Sequence, residues 1–185
     1  EGSLAPNSYE FGEKDTRSSI LKRMSIKQDE ILQKAWQSKL DNLPLKTPEE
    51  ALILASIIEK ETGIQSERQI IASVFINRLK RGMPLQTDPT VIYGITKGQK
   101  ILGRGLRQSE LRKDTPWNTY LRGGLPPTPI ANPGEESIFA ALNPDNTDFI
   151  FFVADGTGGH AFATNLKDHN KNVANWRAIE KNKKN

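Results

Sequence analysis

A chain of 185 residues is the length of one compact domain with at most a small appendage. With 36% hydrophobic and 26% charged residues and a mean hydropathy of -0.58, it predicts a modest core under a well-solvated surface, and its apolar blocks alternating with Gly/Pro-punctuated loops exclude collagen, coiled coil and wholesale disorder. The net charge of +4 is dispersed and argues against a nucleic-acid partner, the lack of cysteine removes disulfides, thiol catalysis and thiolate metal sites, and no apolar run approaches the roughly 20 residues of a membrane helix.

Residues 1–14, with Pro6, Tyr9, Phe11 and Gly12, read as an irregular lead-in. The chain starts Glu1-Gly2-Ser3 without an initiating methionine, which reads as a fragment, so an anchor or targeting segment ahead of it stays open. From Thr16, apolar residues recur at Ile20, Leu21, Met24, Ile31, Leu32, Ala35, Trp36 and Leu40. This near-helical period predicts one long helix, with a break near Ser25, ended by Leu43-Pro44-Leu45. Residues 1–46 form this lead-in and N-terminal helical part, and residues 47–185 the main body of one compact domain.

Thr47-Pro48-Glu49-Glu50 is a helix start, with an N-cap threonine, a proline at the first position and acids in the first turn. The run Ala51 to Ile58 has almost no polar face and predicts a buried helix. It changes character at Glu59-Lys60-Glu61-Thr62, where Gly63 supplies the stop. Ser66 to Leu79 reads as an amphipathic helix, closed by Arg81-Gly82-Met83-Pro84. The stretch 84–134 is long, proline-rich and glycine-rich, and such a loop region in a compact domain is usually functional. Within it, Val91-Ile92-Tyr93 is a short strand or helix, and Ser109–Lys113 a short helix. Glu135–Leu142 predicts a helix, Phe149–Val153 a buried strand, Asp155–Gly159 a hairpin turn into His160–Ala163, and Leu166 to about Lys181 the last helix. Lys181, Lys183 and Lys184 read as a solvated tail. The whole is a helix-rich α+β pattern with a small β component and long Pro/Gly-rich loops.

Which of these residues carry chemistry follows largely by exclusion. The only histidines are His160 and His169, so a His-rich metal centre is not expected. Nucleophile-elbow, P-loop and dinucleotide fingerprints are missing. What remains is the carboxylate pair at the end of the buried helix. Glu59 and Glu61 are two residues apart and point roughly 200° from each other, so they cannot face each other across one cleft. Glu61 is stacked above Ile58 and Leu54, in the last turn, where the helix dipole disfavours an anion. Burial and dipole together raise a carboxyl pKa, which suits a general acid. A helix-end salt bridge with Lys60 or Arg68 is the alternative reading. The second cluster, Leu85-Gln86-Thr87-Asp88-Pro89-Thr90, is stiffened by prolines and suits a hydroxylated ligand, although Asp88 before Pro89 also fits an Asx-type turn. Asn118-Thr119-Tyr120 and Gly123-Gly124-Leu125-Pro126-Pro127 repeat this theme, and Tyr93, Trp117 and Tyr120 could stack on sugar rings or fill core gaps. The candidate substrate-binding residues are therefore Gln86, Thr87, Asp88, Tyr93, Asn118 and Tyr120, with no metal ligand and no cofactor.

Taken in order, Ile57-Ile58-Glu59-Lys60-Glu61-Thr62, Ala72 to Leu79, Leu85 to Gly94, Asn118-Thr119-Tyr120, Gly124-Leu125-Pro126-Pro127, Phe152 to Gly156 and Gly158-Gly159-His160 through Asn165-Leu166 resemble the endolytic murein transglycosylases of the YceG-like family. The likeness runs from about residue 47 to 173, and the lead-in fits as well. It implies a lytic-transglycosylase catalytic domain that cleaves the β-1,4 bond between N-acetylmuramic acid and N-acetylglucosamine without adding water, the muramyl C6 hydroxyl closing on C1 to leave a 1,6-anhydro end. It implies that Glu61 is the catalytic acid, then base, and that Thr62 is similar to the hydroxyl residue following the glutamate in other lytic transglycosylases. Leu4-Ala5-Pro6 and Thr128 depart from the family's pattern without touching the acid. The resemblance further implies peptidoglycan strands as substrate, peptidoglycan synthases as partners, and a parent protein with a single membrane helix and a LysM-like domain, its catalytic part on the periplasmic or outer side. A hydrolytic muramidase using Asp88 to activate water, and a non-catalytic glycan-binding or scaffold module of wall synthesis, are the alternatives.

Overall fold

The computed structural model describes residues 1–183. Helix α1, Arg17–Gln37, starts where the Thr16 hydroxyl accepts from the Ser19 N–H and the Ser19 hydroxyl accepts from the Thr16 N–H, a reciprocal cap. It runs unbroken through Ser25 and buries Gln28, Ile31, Leu32 and Ala35. It stops earlier than its apolar period suggests, because the Ser38 N–H and hydroxyl both turn back to the Ala35 carbonyl. Leu40 lies past that end, exposed.

Helix α2, Pro48–Glu61, begins as its sequence predicts, with Thr47 accepting from the Glu50 N–H at 3.3 Å. Ala51 and every residue from Ile53 to Ile58 are buried, and α2 lies at the centre of the molecule, against α1 and the helices Arg68–Lys80, Asp88–Thr96 and Glu135–Leu142. Full burial of Leu54, Ile57 and Ile58 contributes about 1.5–3 kcal/mol each. Its stop is not the glycine device expected: Gly63 has no positive φ, and Thr62 ends the helix in an extended conformation, its N–H still bonded to the Ile58 carbonyl. The last helical residue is therefore Glu61.

A 3₁₀ turn at Gln65–Glu67 leads into α3, Arg68–Lys80, which buries Ile71 to Ile76. Val91-Ile92-Tyr93 resolves as part of a helix, α4, Asp88–Thr96, with Pro89 in its first turn. Three apolar residues are too few to display a period, so only packing could choose between strand and helix. Gly94 lets α4 lie against the loop after α5, Gln108–Leu111: a Cβ there would collide with the Thr115 hydroxyl. Helix α6, Glu135–Leu142, has the bounds its sequence predicts. The proline-rich segment ahead of it is tied to the core by Ser56, whose hydroxyl donates to Ile53 and accepts from the Ile130 N–H at 2.9 Å.

Strands β1, Phe151–Ala154, and β2, His160–Ala163, pair antiparallel, Phe151 opposite Ala163 and Ala154 opposite His160. The expectation of a buried strand is corrected here: every residue of β1 is half-buried, because it borders an open cleft while α7, Leu166–Lys183, covers part of the hairpin. Lys181 and Lys183 belong to α7, and Lys184 lies outside the described residues. The α+β architecture is as the sequence predicts. Ala5, Ile31 and Leu32 of the first 46 residues join the same hydrophobic cluster as α2, α3 and α6.

Candidate active site

The helical spacing of the two glutamates sends them to different neighbours. Glu59 turns to α6, where its Oε2 accepts from the Gly134 N–H at 3.1 Å and the Ser137 hydroxyl at 2.6 Å. It caps that helix, satisfying a free N–H and placing negative charge at the positive end of the dipole. Glu59→Gln keeps an acceptor for both donors and is expected to hold the urea midpoint near that of wild type. Glu59→Ala is expected to lower stability by roughly 1–3 kcal/mol in urea melts, through the Gly134 and Ser137 donors it strands.

Glu61 turns instead to a cleft of about 600 Å³ bordered by residues 85–88, Arg78, Tyr120, the β-hairpin and α7. Its Oε1 accepts a hydrogen bond from the Thr87 hydroxyl. Burial pushes its carboxyl above the ordinary value, and the nearby Asp88 adds to this, while the Thr87 bond and His160 pull the other way. Neither salt bridge foreseen as an alternative forms: Arg68 pairs with Glu136 at 2.5 Å, and Lys60 is exposed at the edge of another cleft.

Thr87 is held for its task. It is the N-cap residue of α4, yet its side chain makes no cap and is spent on Glu61. Its backbone N–H donates to the Thr119 hydroxyl at 3.2 Å, its carbonyl accepts from Thr90, and the Thr90 and Thr119 hydroxyls meet at 2.8 Å. All three threonines are buried. Asp88 makes no Asx turn; it opens α4, lines the cleft, and accepts from the Tyr120 hydroxyl at 2.7 Å. Burial first, then Asp88, raises the Tyr120 phenol well above its usual range, so it remains a donor. Gln86 adopts a left-handed φ of 52° and borders the cleft, its side-chain oxygen accepting from Arg78 at 3.2 Å.

The structure thus brings Glu61, Gln86, Thr87, Asp88 and Tyr120 together and sets two candidates apart. Tyr93 borders a different cleft, with Lys60, Ile92 and the segment 98–104, and meets Trp117 edge-on at 5.6 Å. Asn118 is fully buried; its amide donates to the carbonyls of Leu111 and Lys113 and accepts from the Tyr120 N–H. It positions Tyr120 rather than facing the cleft. Thr62 turns its hydroxyl toward Glu67 at 3.4 Å, not toward Glu61. Thr128, the departure in the proline loop, accepts from the Trp117 indole at 3.0 Å.

Several cleft residues went unassigned in the sequence: Arg78, Phe151, Phe152, His160 and His169. Arg78 is buried, and its guanidinium donates to the Ile150, Pro84 and Leu85 carbonyls. An arginine on the inner side of an apolar helix was the available signal, since a buried cation must find acceptors. His169 stacks on Phe151 at 4.8 Å, and burial lowers its pKa. Among the described residues, no group of three or more His, Asp or Glu is arranged to hold a metal ion.

The description "YceG-like family" belongs to the family model that matches residues 1–175. The chain is 41% identical over 172 residues to an endolytic murein transglycosylase of Bacillus subtilis (strain 168), covering 92% of this chain and 46% of that protein. It is 37% identical over 177 residues to one of Streptococcus pneumoniae serotype 2 (strain D39), covering 94% and 32%. A crystal structure of a yceG-like protein from Listeria monocytogenes aligns with a TM-score of 0.79 at 38% identity, over 92% of this chain and 54% of that one. The chain spans less than half the length of these two curated relatives.

Proposed function

The chain belongs to the YceG-like family, and from that premise we propose that it is the catalytic region of an endolytic peptidoglycan lytic transglycosylase. The observation that carries the reading is Glu61: a carboxyl with raised pKa, held by a buried threonine at a cleft edged by polar groups. A carboxyl shifted upward by burial holds its proton to higher pH than an ordinary one, which is the direction a general acid at a glycosidic leaving oxygen needs.

Ordinary glycosidases use two carboxylates, one as acid and one as base or nucleophile. Here the nucleophile comes from the substrate. Glu61 protonates the bridging oxygen as the bond from C1 of the muramyl residue breaks; the C6 oxygen closes on C1, and the proton it sheds restores Glu61. Every proton is returned and no water is consumed. Gln86, Asp88 and Tyr120 bind sugar hydroxyl and amide groups around that centre, a reading supported by their lining the same cleft as Glu61. The substrate is the glycan strand, and the parent protein acts outside the cytoplasm, anchored by a membrane helix and working beside peptidoglycan synthases. No helix among the described residues is long and apolar enough to cross a membrane.

A hydrolytic muramidase is the second reading, favoured by Asp88 on the same cleft, where a carboxylate could activate water. Product mass separates the two. Digestion of purified glycan strands gives ends one water lighter than hydrolysed ends when the sugar attacks itself; hydrolysed ends as the main product would replace the first reading with the second.

A further inference from the structure

The cleft holds a side chain that the chemistry above leaves idle. The His160 N–H donates to Glu67 Oε1 at 2.9 Å, and the ring Nδ1 lies 2.7 Å from Glu67 Oε2. Gly159 makes this approach possible, since a Cβ there would stand 2.7 Å from Glu67 Oε1. Phe152 holds the ring edge-on at 5.3 Å. The opposite ring nitrogen, Nε2, has no protein partner among the described residues, and the ring borders the same cleft as Glu61. A carboxylate can only accept, so in the neutral ring Nδ1 carries the hydrogen and Nε2 presents a lone pair. Such a pair, a carboxylate fixing an imidazole whose other nitrogen is left free, is the arrangement that activates hydroxyl nucleophiles.

Resting on the transglycosylase reading, we propose that His160 Nε2 takes the proton of the muramyl C6 hydroxyl as its oxygen closes on C1, and hands it to the Glu61 carboxylate. Glu67 is the positioning residue. The O–H bond breaks as the C6–O–C1 bond forms; Glu61 has already given its proton to the departing oxygen, and the imidazolium returns one to it, leaving both groups as they began.

Glu67→Gln tests this with little change of shape. The His160 N–H can only donate, so the amide oxygen of the introduced side chain must face it, leaving the NH₂ against Nδ1. That reverses the tautomer and puts a hydrogen on Nε2. The expected result is a fall in kcat of about 10²-fold with KM within about twofold. Water should also compete better with the unactivated hydroxyl, so the fraction of hydrolysed ends rises. A second variant, His160→Phe, keeps the ring packing against Phe152 and removes both nitrogens, and it should show the same losses. Urea midpoints are measured first, and if only one variant folds, that one decides. Unchanged kcat, a loss with the product ratio unmoved, or collapse of both folds would overturn the proposal. Wild type yielding mainly hydrolysed ends would instead overturn the transglycosylase reading itself.

Discussion

Glu61→Gln is expected to abolish cleavage of glycan strands, lowering turnover by about 10³-fold or more, while the protein becomes more stable on the alkaline side. The loss of activity follows from removing the only proton donor proposed at the glycosidic oxygen. The gain in stability follows from linkage. Burial raises the Glu61 pKa in the folded protein above the ordinary 4.5 of the unfolded chain. Between those two values the native state holds a proton the unfolded state has released, so native stability falls as pH rises through that window and then levels off. Glutamine cannot ionise and escapes that fall. Urea melts of both proteins across the pH range check this: the variant's advantage should open above the ordinary carboxyl value and reach a plateau. A difference that does not vary with pH would remove the raised Glu61 carboxyl from the account, and finding that Glu59→Gln is the inactive variant would remove Glu61 as the acid.

Arg78→Ala carries the largest expected cost to the fold, about 3–5 kcal/mol in urea melts. Arg78 is 7% exposed and lacks an ion-pair partner among the described residues; its charge is held by backbone oxygens. Nε reaches Ile150, just ahead of β1, at 2.7 Å, while Nη1 reaches Pro84, Leu85 and the Gln86 side chain. One side chain therefore ties α3 to both walls of the cleft. Removing it strands buried carbonyls and leaves a void beside Phe151, whose ring lies 5.2 Å from the guanidinium carbon. Arg78→Lys should recover only a minor part, because one ammonium cannot reach the acceptors on both sides that the planar fork spans. Recovery to within about 1 kcal/mol of wild type by lysine would show that charge, not geometry, is what the position requires.

How much of this was legible beforehand depended on range. The start of α2 was readable because Thr47 and Pro48 act on atoms within one turn, and the bounds of α6 because its apolar pattern is local. The end of α1 was misplaced because Ser38 overrides a period that continues to Leu40. Among the candidate residues, Gln86, Thr87, Asp88 and Tyr120 converge on Glu61, whereas Tyr93 and Asn118 came from equally plausible motifs and lie elsewhere. A motif names its residues without saying which way a loop turns them.

The sequence by itself determined that Glu59 and Glu61 look in opposite directions, and that the helix bearing them is buried, since both facts follow from about 3.6 residues per turn and the apolar run behind them. Only the tertiary structure decided what each acid meets. Glu61 finds Thr87 across 26 positions and Glu67 finds His160 across 93. Pairings at such separations depend on how α2, α4 and the hairpin pack, and no short-range spacing records that.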